Sequence, residues 1–247
     1  MNDWYKKSFG LTYLELYSHR DKKEAQRDIE RLVRFLTIPK DECLLDLCCG
    51  AGRHLLALHK IGFRRLIGLD LSKELLHSAQ RELSKAGAHH IKLLCKDMRE
   101  IPFQNYFGAI FSLFTSFGYF ENDEENQKVI SRVRQALRPK GIFVLDYLNK
   151  EYGVKNLVAE DVKKLKDRHI KNTRRLSNDK KRIEKKISIF KENGEEQIFY
   201  ESVRLYGAKE LENILHVCGF RNIKRYGSLG GETFHSDSKR LIFVCEK

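Results

Sequence analysis

Apolar residues recur at Ala25, Ile29, Leu32, Val33 and Leu36, the three-and-four spacing of one helix face, and Pro39 closes the segment. A helix is therefore expected from about Asp21 to Leu36. Beyond Pro39, short apolar runs alternate with amphipathic ones. Cys43–Cys48, Arg65–Asp70, His90–Cys95, Gly108–Leu113 and Ile142–Tyr147 read as five buried strands. Between them, helical spacing runs from about Gly52 to Lys60, from a Ser72 cap to Lys85, and from Asp123 to Leu137. Gly62 and Gly87 stop the first two helices, and Pro139 with Gly141 stops the third. Such alternation predicts a parallel sheet with helices on both faces.

After Tyr147 the period falls to two. His169–Leu176, Arg182–Phe190 and Gln197–Tyr206 read as successive antiparallel strands, with Asn193-Gly194 as a hairpin turn between the last two. A helix over Ala208–Val217 and strands over Arg221–Tyr226 and Leu241–Cys245 close the chain. The expected organisation is an N-terminal helical lid plus core over residues 1–150, an antiparallel insertion over 151–206, and a closing helix and strand pair over 207–247. At 247 residues the whole fits one α/β domain with an insertion.

The most informative stretch is Leu44-Leu45-Asp46-Leu47-Cys48-Cys49-Gly50-Ala51-Gly52-Arg53-His54. It delivers a buried strand through a Gly-x-Gly turn onto a helix N-terminus, where backbone approaches a ligand closely. A dinucleotide site wants a third glycine, and Leu55 stands in its place. Asp46, just ahead of the loop, would oppose a pyrophosphate but suits a cationic ammonium group. That contrast favours S-adenosylmethionine (SAM) over NAD. Asp70 ends the second strand, where an acid accepts from both ribose hydroxyls, and Asp97-Met98 follows the third, placed for an adenine. Ser112-Leu113-Phe114-Thr115-Ser116-Phe117 follows the fourth and would form the pocket floor.

With these residues in place, the chain resembles the class I SAM-dependent methyltransferases, closely over Leu44–Asn149 and loosely over the final strand pair. The resemblance implies a Rossmann-like, doubly wound, seven-stranded, mostly parallel sheet in the order 3-2-1-4-5-7-6, carrying the antiparallel insertion. It also implies SAM as cofactor, its methionine end on Asp46, Cys48, Gly50 and Gly52, its ribose on Asp70 and Leu71, and its adenine on Asp97 and Met98. Leu113-x-x-Ser116-Phe117 is similar to the segment after strand four in glycine N-methyltransferase-like enzymes, which touches the amino-acid part of SAM. In such enzymes an arginine ahead of the first strand binds the SAM carboxylate; Arg20 is the matching residue, with Tyr13 and Tyr17 as lid residues.

Methyl transfer from a sulfonium is an in-line displacement from an activated donor, so alignment and water exclusion dominate and no metal is needed. Tyr119 and His235 are the candidate proton-handling groups, and Asn149, Arg204 and Tyr206 are further polar groups near the expected acceptor. No Asn/Asp-Pro-Pro-Tyr/Phe segment follows the fourth strand, and no cysteine follows strand four or five to attack a pyrimidine ring.

Charge raises a competing reading. The net charge is +13, and Lys163–Lys186 holds twelve Lys or Arg against Asp167, Asp179 and Glu184. A basic stripe can hold RNA, yet it contains no aromatic residue but His169, whereas RNA surfaces combine charge with stacking rings. The expected acceptor is therefore a small molecule methylated at N or O. An RNA methyltransferase and a catalytically silent SAM-binding protein are the alternatives. Six cysteines, mostly inside apolar runs, fit buried thiols in a reducing compartment, with no spacing for a metal. With no apolar run near the roughly 20 residues that span a bilayer, and no signal peptide, a cytoplasmic monomer or homodimer is expected.

Overall fold

A computed structural model describes residues 4–10, 12, 16, 22–165, 168–191 and 195–247. Arg20, Tyr13, Tyr17, Asp21 and the Asn193-Gly194 turn lie outside the described residues. Helix α1 (Trp4–Ser8) precedes α2 (Lys22–Leu36), whose apolar stripe Ala25, Ile29, Leu32 and Val33 is buried as its spacing requires. The core then runs β1 (Leu44–Leu47), α3 (Arg53–Lys60), β2 (Leu66–Asp70), α4 (Lys73–Lys85), β3 (Lys92–Cys95), β4 (Phe107–Ser112), α5 (Asp123–Ala136) and β5 (Leu137–Leu148). It closes with α7 (Ala208–Val217), β10 (Arg221–Tyr226) and β11 (Arg240–Glu246).

The seven strands lie in the order β10-β11-β5-β4-β1-β2-β3. Read in core numbering this is the expected 3-2-1-4-5-7-6, with β11 antiparallel to both neighbours and the other pairs parallel. Every residue of β1, β2 and β4 is buried, which explains why these strands read as continuous apolar runs. The period of two still sorts side chains between faces. Leu44, Phe111, Val144 and Ile242 pack with α2 and α3, whereas Leu45, Leu47, Ile110, Leu145 and Phe243 join the core that includes α5 and α7. Asp46 shares the α2–α3 side with Leu44, so its carboxylate is directed beneath the start of α3.

Helix starts follow their caps. Ser72 Oγ accepts from Leu75 N at 3.2 Å, and Asn122 Oδ1 accepts from Glu125 N at 3.1 Å ahead of an acid-rich first turn. The expected helix to Leu137 ends one residue earlier, because Leu137 already pairs with Phe107 in the sheet. Pro139-Lys140-Gly141 is absorbed as an irregularity within β5, Lys140 taking φ 61°, before Ile142 resumes pairing with Ala109.

The second sheet is antiparallel: β6 (Glu160–Leu165), β7 (Arg168–Leu176), β8 (Arg182–Lys191) and β9 (Glu196–Arg204), in that order. Three of its strands were expected. β6 and the short helix α6 (Lys150–Lys155) were not, and β9 ends at Arg204 instead of Tyr206. Ile170, Ile187 and Ile189 form a small core on one side of this sheet.

The insertion is bound to the main domain through Arg182. Its guanidinium donates to the carbonyls of Phe120 at 3.0 Å and of Gly118 and Tyr119 at 3.3 Å, and to Ser202 Oγ and O at 2.8 Å. The β6–β9 sheet therefore hangs directly from the loop after β4.

Candidate active site

The β1–α3 turn needs left-handed backbone at three of its residues: Cys48 (φ 62°), Gly50 (φ 53°) and Gly52 (φ 75°). Only glycine adopts this at no steric cost. Gly52 has a second constraint, since a Cβ there would stand 3.0 Å from Ala79 Cβ of α4. It lets two helices approach and lies outside the walls of the cavities described below. The helix–strand packing that a third loop glycine would permit is obtained from the strand instead. Gly68 of β2 leaves the space that Leu55 fills; a Cβ on Gly68 would come within 2.6 Å of Leu55 Cδ1.

A cleft of about 590 Å³, counting its open mouth, lies at the carboxyl ends of β1, β2 and β3. Its walls bring together Cys48, Gly50, Asp70, Leu71, Asp97, Met98 and Ser116 from separate loops. Asp70 Oδ2 accepts from Gly50 N at 2.8 Å and Oδ1 from Ser72 N at 2.9 Å. Each oxygen keeps acceptor capacity for one more donor. Burial raises the Asp70 carboxyl, against the pull of these amides. Cys48 Sγ lies 3.7 Å from Met98 Sδ, and burial followed by the charges of Asp70, Asp46 and Asp97 holds it well above its ordinary value, as a thiol.

Asp97 lines the cleft with its carboxylate already engaged. Oδ1 accepts from Arg99 N and Nε, both at 2.9 Å, and Oδ2 accepts from Arg99 Nη2 at 2.6 Å. Burial pushes the carboxyl up, but Arg99 outweighs it and holds Asp97 below its ordinary value. Arg99 is itself fixed by Glu125 at 2.5 Å and by the Phe120 ring at 4.1 Å. Only Oδ2, with one donor, retains capacity for an adenine amino group.

A larger chamber of about 1790 Å³ adjoins the cleft and shares Phe9, Cys48, Gly50, Ser116 and Tyr119 with it. Trp4 of α1, Leu113 and Phe114 of the loop after β4, and Ile183, Glu201 and Val203 of the insertion line it. Tyr119 stands at the junction, its ring 5.3 Å from Trp4 and 5.5 Å from Phe9. Phe114 and Thr115 are both left-handed, at φ 61° and 58°. Their amides are held by Asp146 of β5: Phe114 N donates to Oδ2 at 2.6 Å and Thr115 N to the carbonyl at 3.0 Å. Arg240 of β11 clamps the same carboxylate while also pairing with Asp28 of α2 at 2.9 Å.

Asp46 is 2% exposed and lines neither cavity. Its Oδ2 has no hydrogen-bond partner, and His54 Nδ1 lies 3.9 Å from it. Burial pushes this carboxyl up to about 8, with Arg53 opposing and Asp70 adding to the rise. His54 was given no role from sequence. It is buried, has an unpartnered Nε2, and belongs to the chamber wall. Burial, then Arg53 and Arg240, hold its imidazole well below the ordinary value, hence neutral at pH 7.

Four sequence candidates go elsewhere. His235 lines neither cavity; its amide donates to Ser238 Oγ at 2.9 Å within a surface loop. Asn149 anchors that loop, its Nδ2 donating to the carbonyls of Ser236 at 2.8 Å and Ser238 at 2.7 Å. Arg204 pairs with Asp123 at 3.3 Å and Glu210 at 3.2 Å, and Tyr206 donates to Asp123 at 2.5 Å, a network beside the site instead of in it. The basic segment is also matched by acids. Lys171 pairs with Glu160 at 3.0 Å, Arg174 with Asp161 at 2.5 Å, Arg175 with Glu184 at 2.9 Å and Lys185 with Glu201 at 3.6 Å. Among the described residues there is no group of His, Cys, Asp and Glu that could hold a metal, and no helix long and apolar enough to cross a membrane.

A methyltransferase-domain family matches residues 44–141. A dTDP-3-amino-3,4,6-trideoxy-α-D-glucopyranose N,N-dimethyltransferase of Streptomyces venezuelae is 35% identical over 119 residues, which are 48% of this chain and 47% of that protein. A tRNA U34 carboxymethyltransferase of Shewanella baltica is 28% identical over 120 residues, 48% of this chain and 35% of its own. The chain thus spans less than half the length of either curated relative. A solved SAM-dependent methyltransferase from Clostridium acetobutylicum shares the fold at a TM-score of 0.80 and 19% identity, over 95% of this chain and 96% of that one. The segment that matches the methyltransferase-domain family carries Gly50, Asp70 and Asp97 at the strand ends of a sheet with the methyltransferase fold.

Proposed function

We propose that the chain is a SAM-dependent methyltransferase acting on an amino nitrogen of a small, polar, sugar-sized acceptor. The observation that carries this reading is the junction of the two cavities. A cleft at the carboxyl ends of β1, β2 and β3 opens, at Cys48, Gly50, Ser116 and Tyr119, onto a second chamber lined by α1 and the insertion. The residues present suit the donor: Asp70 offers two acceptor positions, Met98 an apolar face, and the buried Asp46 an uncompensated carboxyl on the side of the glycine turn. The N,N-dimethyltransferase relative supports an amine acceptor.

The bound donor supplies a methyl group already activated by its sulfonium. The chain's own work is then alignment and exclusion of water. Gly50 and Asp70 fix the nucleoside side, while Trp4, Phe9 and Tyr119 form an aromatic wall where the cavities meet. An amine attacks through its lone pair and loses its proton afterwards, so strong base catalysis is not required. Glu201, with Lys185 at 3.6 Å, lines the chamber and is placed to accept from a polar acceptor.

Pairing of Lys171, Arg174, Arg175 and Lys185 with acids weakens the case for an RNA groove, since a paired charge releases fewer counterions on contact with phosphate. Incubating the protein with methyl-labelled SAM and cell extract separated into RNA, protein and metabolite pools tests the reading. Label is expected among amine-bearing metabolites. Label confined to RNA, or absent from every pool, overturns it.

A further inference from the structure

We propose that His54 is the residue that receives the ammonium group of the donor's amino-acid end, with Asp46 acting through it. The inference rests on the SAM reading above and changes the part that sequence logic gives to Asp46. A carboxylate ahead of a glycine turn looks like a direct partner for a cation. In the folded chain it lies below the turn, 2% exposed, and lines neither cavity. His54, in the first turn of α3, stands between Asp46 and the chamber and does form its wall.

Two buried polar atoms on this line have no hydrogen-bond partner: Asp46 Oδ2 and His54 Nε2. They belong to side chains 2% and 8% exposed, and His54 Nδ1 faces Asp46 Oδ2 at 3.9 Å. Unsatisfied buried groups are costly and call for a ligand or a functional use. One arrangement satisfies both. When a cation arrives, Asp46 gives up the proton it holds in the ligand-free fold, the 3.9 Å approach closes so that His54 Nδ1–H donates to the carboxylate, and the Nε2 lone pair is left as an acceptor. An ammonium N–H is the matching donor.

The surroundings fit a cation received by a neutral ring. Arg53 on α3, Arg240 on β11, Asp70 on β2 and Asp146 on β5 are the charged groups around the pair. The two arginines oppose a second positive charge on the imidazole itself, while the Phe114 ring, centred 6.1 Å from it, closes its other side. The glycine turn next to His54 is shared by both cavities, so a ligand whose nucleoside fills the cleft directs its other end here.

Paired ligands test this without relying on turnover. S-adenosylhomocysteine and 5′-methylthioadenosine are both uncharged at sulfur and differ in the amino-acid end. Calorimetry on the wild type, His54→Asn and His54→Gln gives the ratio of their affinities. Asparagine removes the acceptor at the Nε2 position, whereas glutamine places an amide oxygen near it. The expected result for His54→Asn is at least a tenfold loss for S-adenosylhomocysteine with 5′-methylthioadenosine held within twofold, and partial recovery in His54→Gln. Asp46→Asn is expected to lower the same ratio. Equal weakening of both ligands in His54→Asn, or an unchanged ratio, overturns the assignment to His54, and a ratio unmoved in Asp46→Asn overturns the part given to the carboxylate. Failure of the wild type to bind either S-adenosylhomocysteine or SAM would instead sink the SAM reading itself.

Discussion

Asp46→Asn should make the ligand-free protein progressively more stable than the wild type as pH rises. The Asp46 carboxyl lies at about 8 in the fold, against about 3.9 in an unfolded chain. Between those values the native state holds a proton that the unfolded chain has released. The stability that accompanies this proton is complete below about pH 4 and is lost as pH climbs toward 8. Through pH 5 to 7 the slope from this one group approaches 1.4 kcal/mol per pH unit, so the gap between variant and wild type should widen by about 2–3 kcal/mol. Asparagine keeps the shape and never ionises. Asp70, raised in the same direction, is present in both proteins and largely cancels in the difference. Urea denaturation of both proteins at pH 5, 6 and 7, with the slope against urea checked for constancy, measures the gap. Parallel stability curves across that range would refute the claim that this carboxyl is buried without a charge partner able to hold it ionised.

Two further substitutions probe the turn and the ribose position. Gly52→Ala combines a left-handed φ of 75° with a Cβ crowding Ala79 at 3.0 Å. A loss of about 2–3 kcal/mol is expected, seen as a melting temperature lower by roughly 4–10 °C, and an unchanged melting temperature would contradict the packing. Asp70→Ala removes the acceptor of Gly50 N and Ser72 N together with its two remaining positions. SAM should bind more weakly by about 1–3 kcal/mol in calorimetry, and unaltered affinity would remove Asp70 from the site.

The strands of the main sheet were legible because the central ones are buried on both faces, which leaves unbroken apolar runs such as Leu66-Ile67-Gly68-Leu69, while their order came from the family resemblance. β6 was not legible. Glu160–Leu165 is an edge strand with Val162 61% exposed, and edges tolerate charge that erases the period of two. The cleft followed from strand ends and one glycine turn, which topology alone brings together. Side-chain direction was beyond that logic. Asn149 and His235 follow strand ends as site residues do, yet one turns into a loop anchor and the other toward the surface. Two signals were available and unread. Gly68 inside a strand marked the close approach of Leu55, and Arg99, two residues after Asp97, marked a carboxylate already engaged. The basic stripe looked more charged than it is because Glu160, Asp161 and Glu201, which pair with part of it, lie outside the segment that was counted.

Arg240 has a bearing on how the protein comes to be active. β11 slots between β5 and β10 in the sheet interior, and its first residue grips both Asp28 and the Asp146 that shapes the Phe114 turn. Strands β1 through β5 can therefore assemble while the chamber wall at Phe114 is still unfinished. That wall is set only when β11 joins the sheet beside β5, so its shape depends on the latest of the described strands and not on the glycine turn alone.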